Sequence, residues 1–229
     1  MIKTAVFMFD TTGLAAEPFT CRGVTTYIID TQNVGERSHN PRATYVLDWD
    51  IRETVEKTAA LKPDLLIGFP PCTDLAVSGA RHFKAKAARD PDFQKKALEL
   101  FLTVKTVGNL AGCPWAAENP NSVVSTLYRK PDITFHPHEY GGYLPETDQH
   151  PDWPRYIPAR DAYRKMTNWW TGNGFKMPRK AAVPIEPLGN WNPQTTLLGG
   201  KSVKTKMIRS ASPRGVFEAL AQLYCSERS

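Results

Sequence analysis

The chain has 229 residues, enough for one domain with a small lobe, and its 41% hydrophobic content supports a core and excludes global disorder. A formal charge of +6 permits a polyanionic partner without identifying one. No apolar run reaches the ~18 residues that would span a bilayer, so no membrane partner is expected. The cysteines Cys21, Cys72, Cys113 and Cys225 are scattered and form no CxxC pair, which argues against both a zinc site and a disulfide framework. No metal is therefore expected. Met1-Ile2-Lys3 leads straight into a strand-like run with no secretory pattern, so a reduced, cytoplasmic setting is expected. Basic residues are spread along the chain, apart from Lys201, Lys204, Lys206 and Arg209 near its end.

In chain order, Lys3 to Phe9 reads as a buried strand, Asp10-Thr11-Thr12-Gly13 as a turn, and Leu14 to Arg22 as a short helix. Gly23 to Asp30 is a second strand ending in an acid, giving a strand–loop–helix–strand–acid unit of roughly Rossmann spacing. Thr44 to Asp50 is a third strand running into acids, and Ile51 to Leu61 is helical. Leu65-Leu66-Ile67 is a short buried strand stopped by Pro70 and Pro71, which cannot donate to a ladder. Cys72 then sits just past the strand's carboxyl end, where ligands bind in open α/β sheets. A lone cysteine in a turn is more often a small packed side chain; two prolines before it favour an aimed thiol.

Thr73 to Asp92 reads as a long polar loop carrying Ser78, Arg81 and His82. Phe93 to Leu110 is an amphipathic helix, with Phe93, Ala97, Phe101, Val104 and Val107 on one face. Pro114 to Asn121 is a fifth strand ending at Glu118 and Asn119. Val123 to Tyr128 reads as a short helix and Ile133 to His138 as a strand. His136 and His138, two positions apart there, are read as poor joint metal ligands. Gly141 to Ala159 reads as an inserted loop, Trp169 to Phe175 as a strand and turn, and Met177 to Thr205 as a proline-rich excursion with little helical pattern. Ser212 as N-cap and Pro213 as first residue open a final helix to about Cys225.

The alternation of strands and helices predicts an α/β fold: a three-layer, mostly parallel, Rossmann-like sheet with a small loop-rich C-terminal excursion. Residues 1–140 would form the core, 141–208 inserted loops and a small recognition lobe, and 209–229 a helix returning to the core. Strand ends deliver Asp10, Asp30, Asp50, Cys72 and Glu118 to one rim.

That ordered set resembles the cytosine-C5 DNA methyltransferases. It comprises an F-D-x-x-G turn, an acid after the second strand, an acid pair after the third, then P-P-C and E-N-P. A compact phage or prophage branch is closer still, through Pro70 to Arg81, Glu118 to Pro120, Trp170 to Pro178 and Arg209 to Pro213. The resemblance implies a fold of the S-adenosylmethionine-dependent methyltransferase type and S-adenosyl-L-methionine as cofactor. It places Phe9, Asp10, Gly13, Asp30, Asp50, Pro70 and Ser212 around that cofactor. It makes Cys72 the nucleophile, and Glu118 with Asn119 the acid motif. Arg164 and Lys165 stand where the family carries cations, although its Q-x-R-x-R pattern has no clean match. Pro71, Ser78 and Arg81 would lie against the substrate. The partner would be DNA, or a cytosine nucleotide, inside a bacterial cell, and the phage-like branch would make a phage-encoded gene the natural source. Two departures stand out: the F-x-G-x-G turn is reduced to Phe9-Asp10-Thr11-Thr12-Gly13, and no large target-recognition domain is present.

The residue types fit one chemistry. A thiolate adding to carbon 6 of cytosine makes carbon 5 nucleophilic, a carboxyl at N3 stabilises the developing charge, and a cation holds the ring carbonyl or favours the thiolate. Three rivals stand beside this reading. A dCMP-type nucleotide would use the same thiol chemistry. A catalytically silent relative would bind only a nucleotide or nucleic acid. A generic Rossmann oxidoreductase explains neither Pro-Pro-Cys nor Glu-Asn-Pro.

Overall fold

The computed structural model describes residues 1–33, 40–185, 192–199 and 202–226. Strand β1 (Thr4–Met8) is followed by α1 (Glu17–Thr20), β2 (Thr25–Ile29), β3 (Tyr45–Leu47), α2 (Val55–Ala59) and β4 (Leu65–Gly68). Next come α3 (Phe83–Ala87), α4 (Phe93–Ala111), β5 (Trp115–Asn119), α5 (Val124–Leu127), β6 (Ile133–Phe135) and β7 (Thr167–Gly172). Helices α6 (Pro193–Thr196), α7 (Val203–Ser210) and α8 (Arg214–Cys225) close the described chain.

The strands form one seven-stranded sheet in the order β3-β2-β1-β4-β5-β7-β6. Strands β3, β2, β1, β4 and β5 are mutually parallel. Strand β7 runs antiparallel to both β5 and β6. The molecule is thus α/β with a mixed, mostly parallel sheet compatible with a Rossmann-like fold. The order reverses between β1 and β4, and in such sheets the crevice beyond those carboxyl ends is the ligand site. Here it falls between the Phe9–Gly13 turn and the Phe69–Cys72 loop.

Alternate strand residues build the two faces, as a period of two requires. Phe7, Ile28, Ile67 and Trp169 face a layer with Phe19 of α1 and Val216, Phe217 and Leu220 of α8. Met8, Ile29, Leu66 and Trp170 face the other layer, where α4 supplies Phe101, Val104 and Val107. Strands buried on both faces read as unbroken apolar runs, which is why Ala5–Met8 and Leu65–Ile67 were readable as strands.

Three stretches differ from the sequence expectation. The expected loop at 73–92 holds a 3-10 segment, Val77–His82, and helix α3, anchored by packing of Phe83 on Phe93 at 5.7 Å between ring centroids. The expected irregular stretch 177–205 carries α6 and the start of α7, each capped by a side chain: Asn192 accepts from the Gln194 amide and Ser202 from the Thr205 amide. Lys201, read as part of the basic cluster there, lies outside the described residues. The final helix starts at Arg214, with Pro213 itself as N-cap and Ser212 one residue further out. Within 141–208, Thr167–Gly172 enters the central sheet as β7. Among the described residues no helix is long and apolar enough to cross a membrane.

Helix α4 meets β5 closely at Gly108, where an added Cβ would lie 2.5 Å from Cδ1 of Trp115. Two effects oppose each other on substitution. Alanine favours a helix over glycine by about 1 kcal/mol, whereas overpacking a core costs about 1–3 kcal/mol. The indole is buried and its ring nitrogen donates to Asn109, so it has little room to yield. Gly108→Ala should therefore lower stability by about 1 kcal/mol net, measured by urea unfolding; a stabilised variant would contradict this packing.

Candidate active site

The Cys72 loop is held from both sides. Leu75 and Ala76 amides donate to the Cys72 carbonyl at 3.0 and 2.8 Å, turning the chain back after the thiol. The loop then pairs with the segment following β5: the Val77 amide donates to Asn121 at 2.9 Å and the Val123 amide to Leu75 at 2.9 Å. Ala76 and Ser122 form the bridge between them. The Asn119 amide, fully buried, reaches the Pro70 carbonyl at 3.4 Å. Because β4 and β5 are parallel neighbours in register Gly68↔Ala117, Cys72 and Glu118 emerge on the same rim, and these crosslinks fix one loop to the other.

Lys165 completes a cluster of three ionisable groups. It lies just before β7, whose Trp169 pairs with Glu118, and its Nζ donates to the Arg209 carbonyl at 2.8 Å. Burial pushes the Cys72 thiol up; the Glu118 carboxylate adds to that and the Lys165 ammonium opposes it. Burial also raises the Glu118 carboxyl, with Lys165 opposing. Lys165 is lowered by burial and held up by Glu118, Cys72 and Asp161. Each group's charge state thus depends on the others. Arg164 parts from this set: it is exposed, and its charge acts on His136 instead. Of the pair, it is Lys165 that lines the cleft described next.

Glu118 and Lys165 open onto a cleft with Phe69, Phe135 and Trp169 on the sheet side and Ser210, Ala211, Ser212 and Pro213 as the opposite wall. Its empty space is about 290 Å3, part of it open to solvent. Ser212 is buried in that wall. Phe135 and Trp169 were legible only as strand residues, since nothing in the sequence brings β6 and β7 to this rim. Pro70 is buried and Pro71 exposed beside the thiol; Ser78 and Arg81 lie exposed on the 3-10 segment beyond it.

At the switch point the turn after β1 is tight. Phe9 adopts φ +60° and Gly13 φ +69°. Asp10 is buried; its Oδ1 accepts from the Thr12 hydroxyl at 3.0 Å and from the Thr12 and Gly13 amides at 3.2 and 2.9 Å, while Oδ2 is buried without a partner among the described residues. Burial pushes the Asp10 carboxyl up to about 6, against those hydrogen bonds, and nearby Asp30 adds to the rise. Asp30 is 7% exposed and accepts from the Thr11 hydroxyl at 2.9 Å and the Gln32 amide at 2.8 Å. Asp50 is different: it is clamped by the Arg52 side chain, which holds its carboxyl below the usual range. Both of its carboxylate oxygens are taken up within its own turn by Arg52.

His136 and His138 lie side by side: Pro137 ends β6 and starts a 3-10 segment, and the two rings stack with centroids 6.0 Å apart. Among the described residues no three His, Cys, Asp or Glu side chains gather as a metal set. Neither a protein-family model nor a curated protein matches the chain.

The cluster generates a direct expectation for Cys72 reactivity. Glu118→Gln removes the carboxylate that disfavours the thiolate, so the pH midpoint of Cys72 alkylation should fall. Lys165→Met removes the opposing cation, so the midpoint should rise. Iodoacetamide labelling read by peptide mass spectrometry checks both, with exposed Cys21 as internal reference. Midpoints unmoved in both variants would mean that the three groups do not act on one another.

Proposed function

We propose that the protein is a cytosine C5-methyltransferase-like enzyme acting on DNA, with Cys72 adding covalently to carbon 6 of the base. The observation that carries this reading is the convergence of thiol, carboxyl and ammonium at Cys72, Glu118 and Lys165 on one rim of an α/β sheet, beside a cleft walled by Ser210–Pro213. Each residue then has a role. Glu118, its carboxyl raised by burial, is suited to hold a proton and share it with the ring N3 as charge develops there. When Glu118 is neutral, its charge no longer disfavours the thiolate, and Lys165 then favours it; protonation of the acid and activation of the thiol work together. Asn119 joins the two loops through Pro70 and keeps the acid and the thiol at a fixed spacing.

S-adenosyl-L-methionine supplies, when bound, an electrophilic methyl group on a cationic sulfur. The residues at the switch point suit such a group. Asp10 keeps a buried Oδ2 with no hydrogen-bond partner among the described residues, and Asp10 and Asp30 form an acidic pair at the carboxyl ends of β1 and β2. A ligand bearing an ammonium, ribose hydroxyls and a sulfonium offers the donors and the positive charge that this pair lacks. Phe9, Gly13, Pro70 and Ser212 would border it, while Asp50 would reach it only after parting from Arg52.

A polymeric substrate is supported by the surface next to the thiol. Arg81, His82, Lys84 and Arg89 are exposed on the 3-10 segment, α3 and the turn after it, with Lys86 tied to Asp74 at 2.5 Å. Such a row suits phosphates flanking a base, which in duplex DNA must leave the stack to reach a rim thiol. A cytosine nucleotide is the second reading. It is favoured by β7, which takes part of 141–208 into the sheet.

The test is covalent trapping with 5-fluorocytosine. Fluorine at carbon 5 cannot leave as a cation, so the adduct persists once the methyl group has been transferred. Duplex and single-stranded oligonucleotides and 5-fluoro-dCMP, each given with S-adenosylmethionine, separate the substrates. The expected result is an adduct on Cys72 with an oligonucleotide, absent in Cys72→Ser and slowed about tenfold or more in Glu118→Gln. An adduct on another cysteine, or with none of the three substrates, overturns the assignment.

A further inference from the structure

Asp161 is a buried acid that the reaction chemistry does not use. It is fully buried, and it and Arg160 are consecutive non-glycine residues in the left-handed region, at φ +50° and +54°. Such conformations cost of order 1 kcal/mol or more each and persist where surrounding structure demands them. What demands this one is the start of α8. Its N-cap is Pro213, which has no side-chain acceptor, and Asp161 supplies one from a distant loop: Oδ2 accepts from the Gly215 amide at 2.8 Å. Oδ1 is buried with no hydrogen-bond partner among the described residues.

The junction has no slack. A Cβ at Gly215 would lie 2.5 Å from the Tyr140 carbonyl oxygen, and one at Gly141 would lie 2.2 Å from that of Arg160. Arg214, next to Gly215, pairs with Asp148 at 2.6 Å, with side chains 13% and 6% exposed. The four residues before Arg214 are the wall of the cleft, Ser210–Pro213. Four residues after Asp161 comes Lys165, whose ammonium feels the Asp161 charge as well as those of Glu118 and Cys72. One carboxylate therefore touches the helix that carries the wall and acts on the cation facing it.

We propose that Asp161 is a positioning residue of the cleft, a cap supplied from another loop that sets the first turn of α8 and hence the seat of Ser210–Pro213 opposite Glu118 and Lys165. This rests on the functional reading above for what the cleft binds, but its geometry stands apart from it.

The groups around the carboxyl are Arg214, Asp148 and Tyr163, with Lys165 on the cleft side and His150 beyond Arg214. Burial pushes Asp161 up from its ordinary 3.8 to about 6, with the Gly215 amide and Arg214 opposing and Asp148 adding. The folded protein therefore holds this proton more tightly than the unfolded chain. The stability Asp161 contributes is complete below its ordinary value and is lost as the pH rises through about 6. A cap kept only for stability would not be an acid here, because asparagine accepts the same amide hydrogen bond without burying a charge.

Hydrogen exchange of residues 210–215 and calorimetry with S-adenosylhomocysteine, each from pH 5 to 8, test this in wild type, Asp161→Asn and Asp161→Ala. The wild type should lose about tenfold protection at Gly215 as the pH rises through about 6, because the buried carboxyl takes on a charge that opening would hydrate. Asp161→Asn should show no such step, keeping the low-pH protection throughout, and should melt higher than wild type at pH 8. Asp161→Ala should lose protection at every pH. Analogue affinity should follow protection across the three proteins. An unchanged step in Asp161→Asn, or unchanged exchange in Asp161→Ala, overturns the proposal; if the alanine variant does not fold, the asparagine comparison decides alone. A wild type that binds no analogue refutes the cofactor reading, while the exchange data still decide the role of Asp161.

Discussion

The site depends on parallel pairing of β4 between β1 and β5. That pairing puts the chain's reversal of strand order at β1 and β4, so two loops leave the sheet side by side with a crevice between them. It also places β5's terminal acid one strand from the thiol. Pro70 and Pro71 stop β4 abruptly, and the Ala76–Ser122 bridge then binds the thiol's loop to the segment after β5. A reactive group on a free loop would pay conformational entropy at each encounter; here the folding of the sheet has already met that cost.

The electrostatics follow from the same placement. A half-buried rim between a sheet and a helix start disfavours every charge, so the acid is raised, the thiol is raised and the lysine is lowered. None is poised alone. Their mutual influence compensates: losing the carboxylate's charge eases ionisation of the thiol, and the ammonium supports either anion. The same logic recurs at the switch point, where Asp10 and Asp30 face one another and burial with mutual repulsion leaves Asp10 titrating near neutrality. One raised carboxyl thus stands by the thiol, Glu118, and another in the β1 turn, Asp10.

Much of this was legible in the sequence because it is local. Apolar runs between prolines or acids marked β1, β2, β4 and β5, and a strand's end fixes which residue reaches the rim. The order Asp10, Asp30, Cys72, Glu118 could therefore be read before any contact was known. What was not legible depends on long-range packing. Phe83 of α3 packs on Phe93 from a different helix, and α7 is only eight residues long. Which of Arg164 and Lys165 turns inward depends on the phase of the chain entering β7, an antiparallel strand whose partners lie about 35 and 50 residues back. Asp161 carried no signal at all: its partner is an amide 54 residues away, and no spacing rule connects a loop acid to a helix whose own N-cap is proline.

The central claim is that this rim brings a base and a methyl donor together. Mass spectrometry of nucleosides from unmodified duplex DNA, after incubation with the protein and S-adenosylmethionine carrying an isotopically labelled methyl group, tests it most directly. The account predicts labelled 5-methylcytosine that forms with the wild type and not with Cys72→Ser. Label on another base or ring position, or label retained in the Cys72→Ser variant, would contradict it.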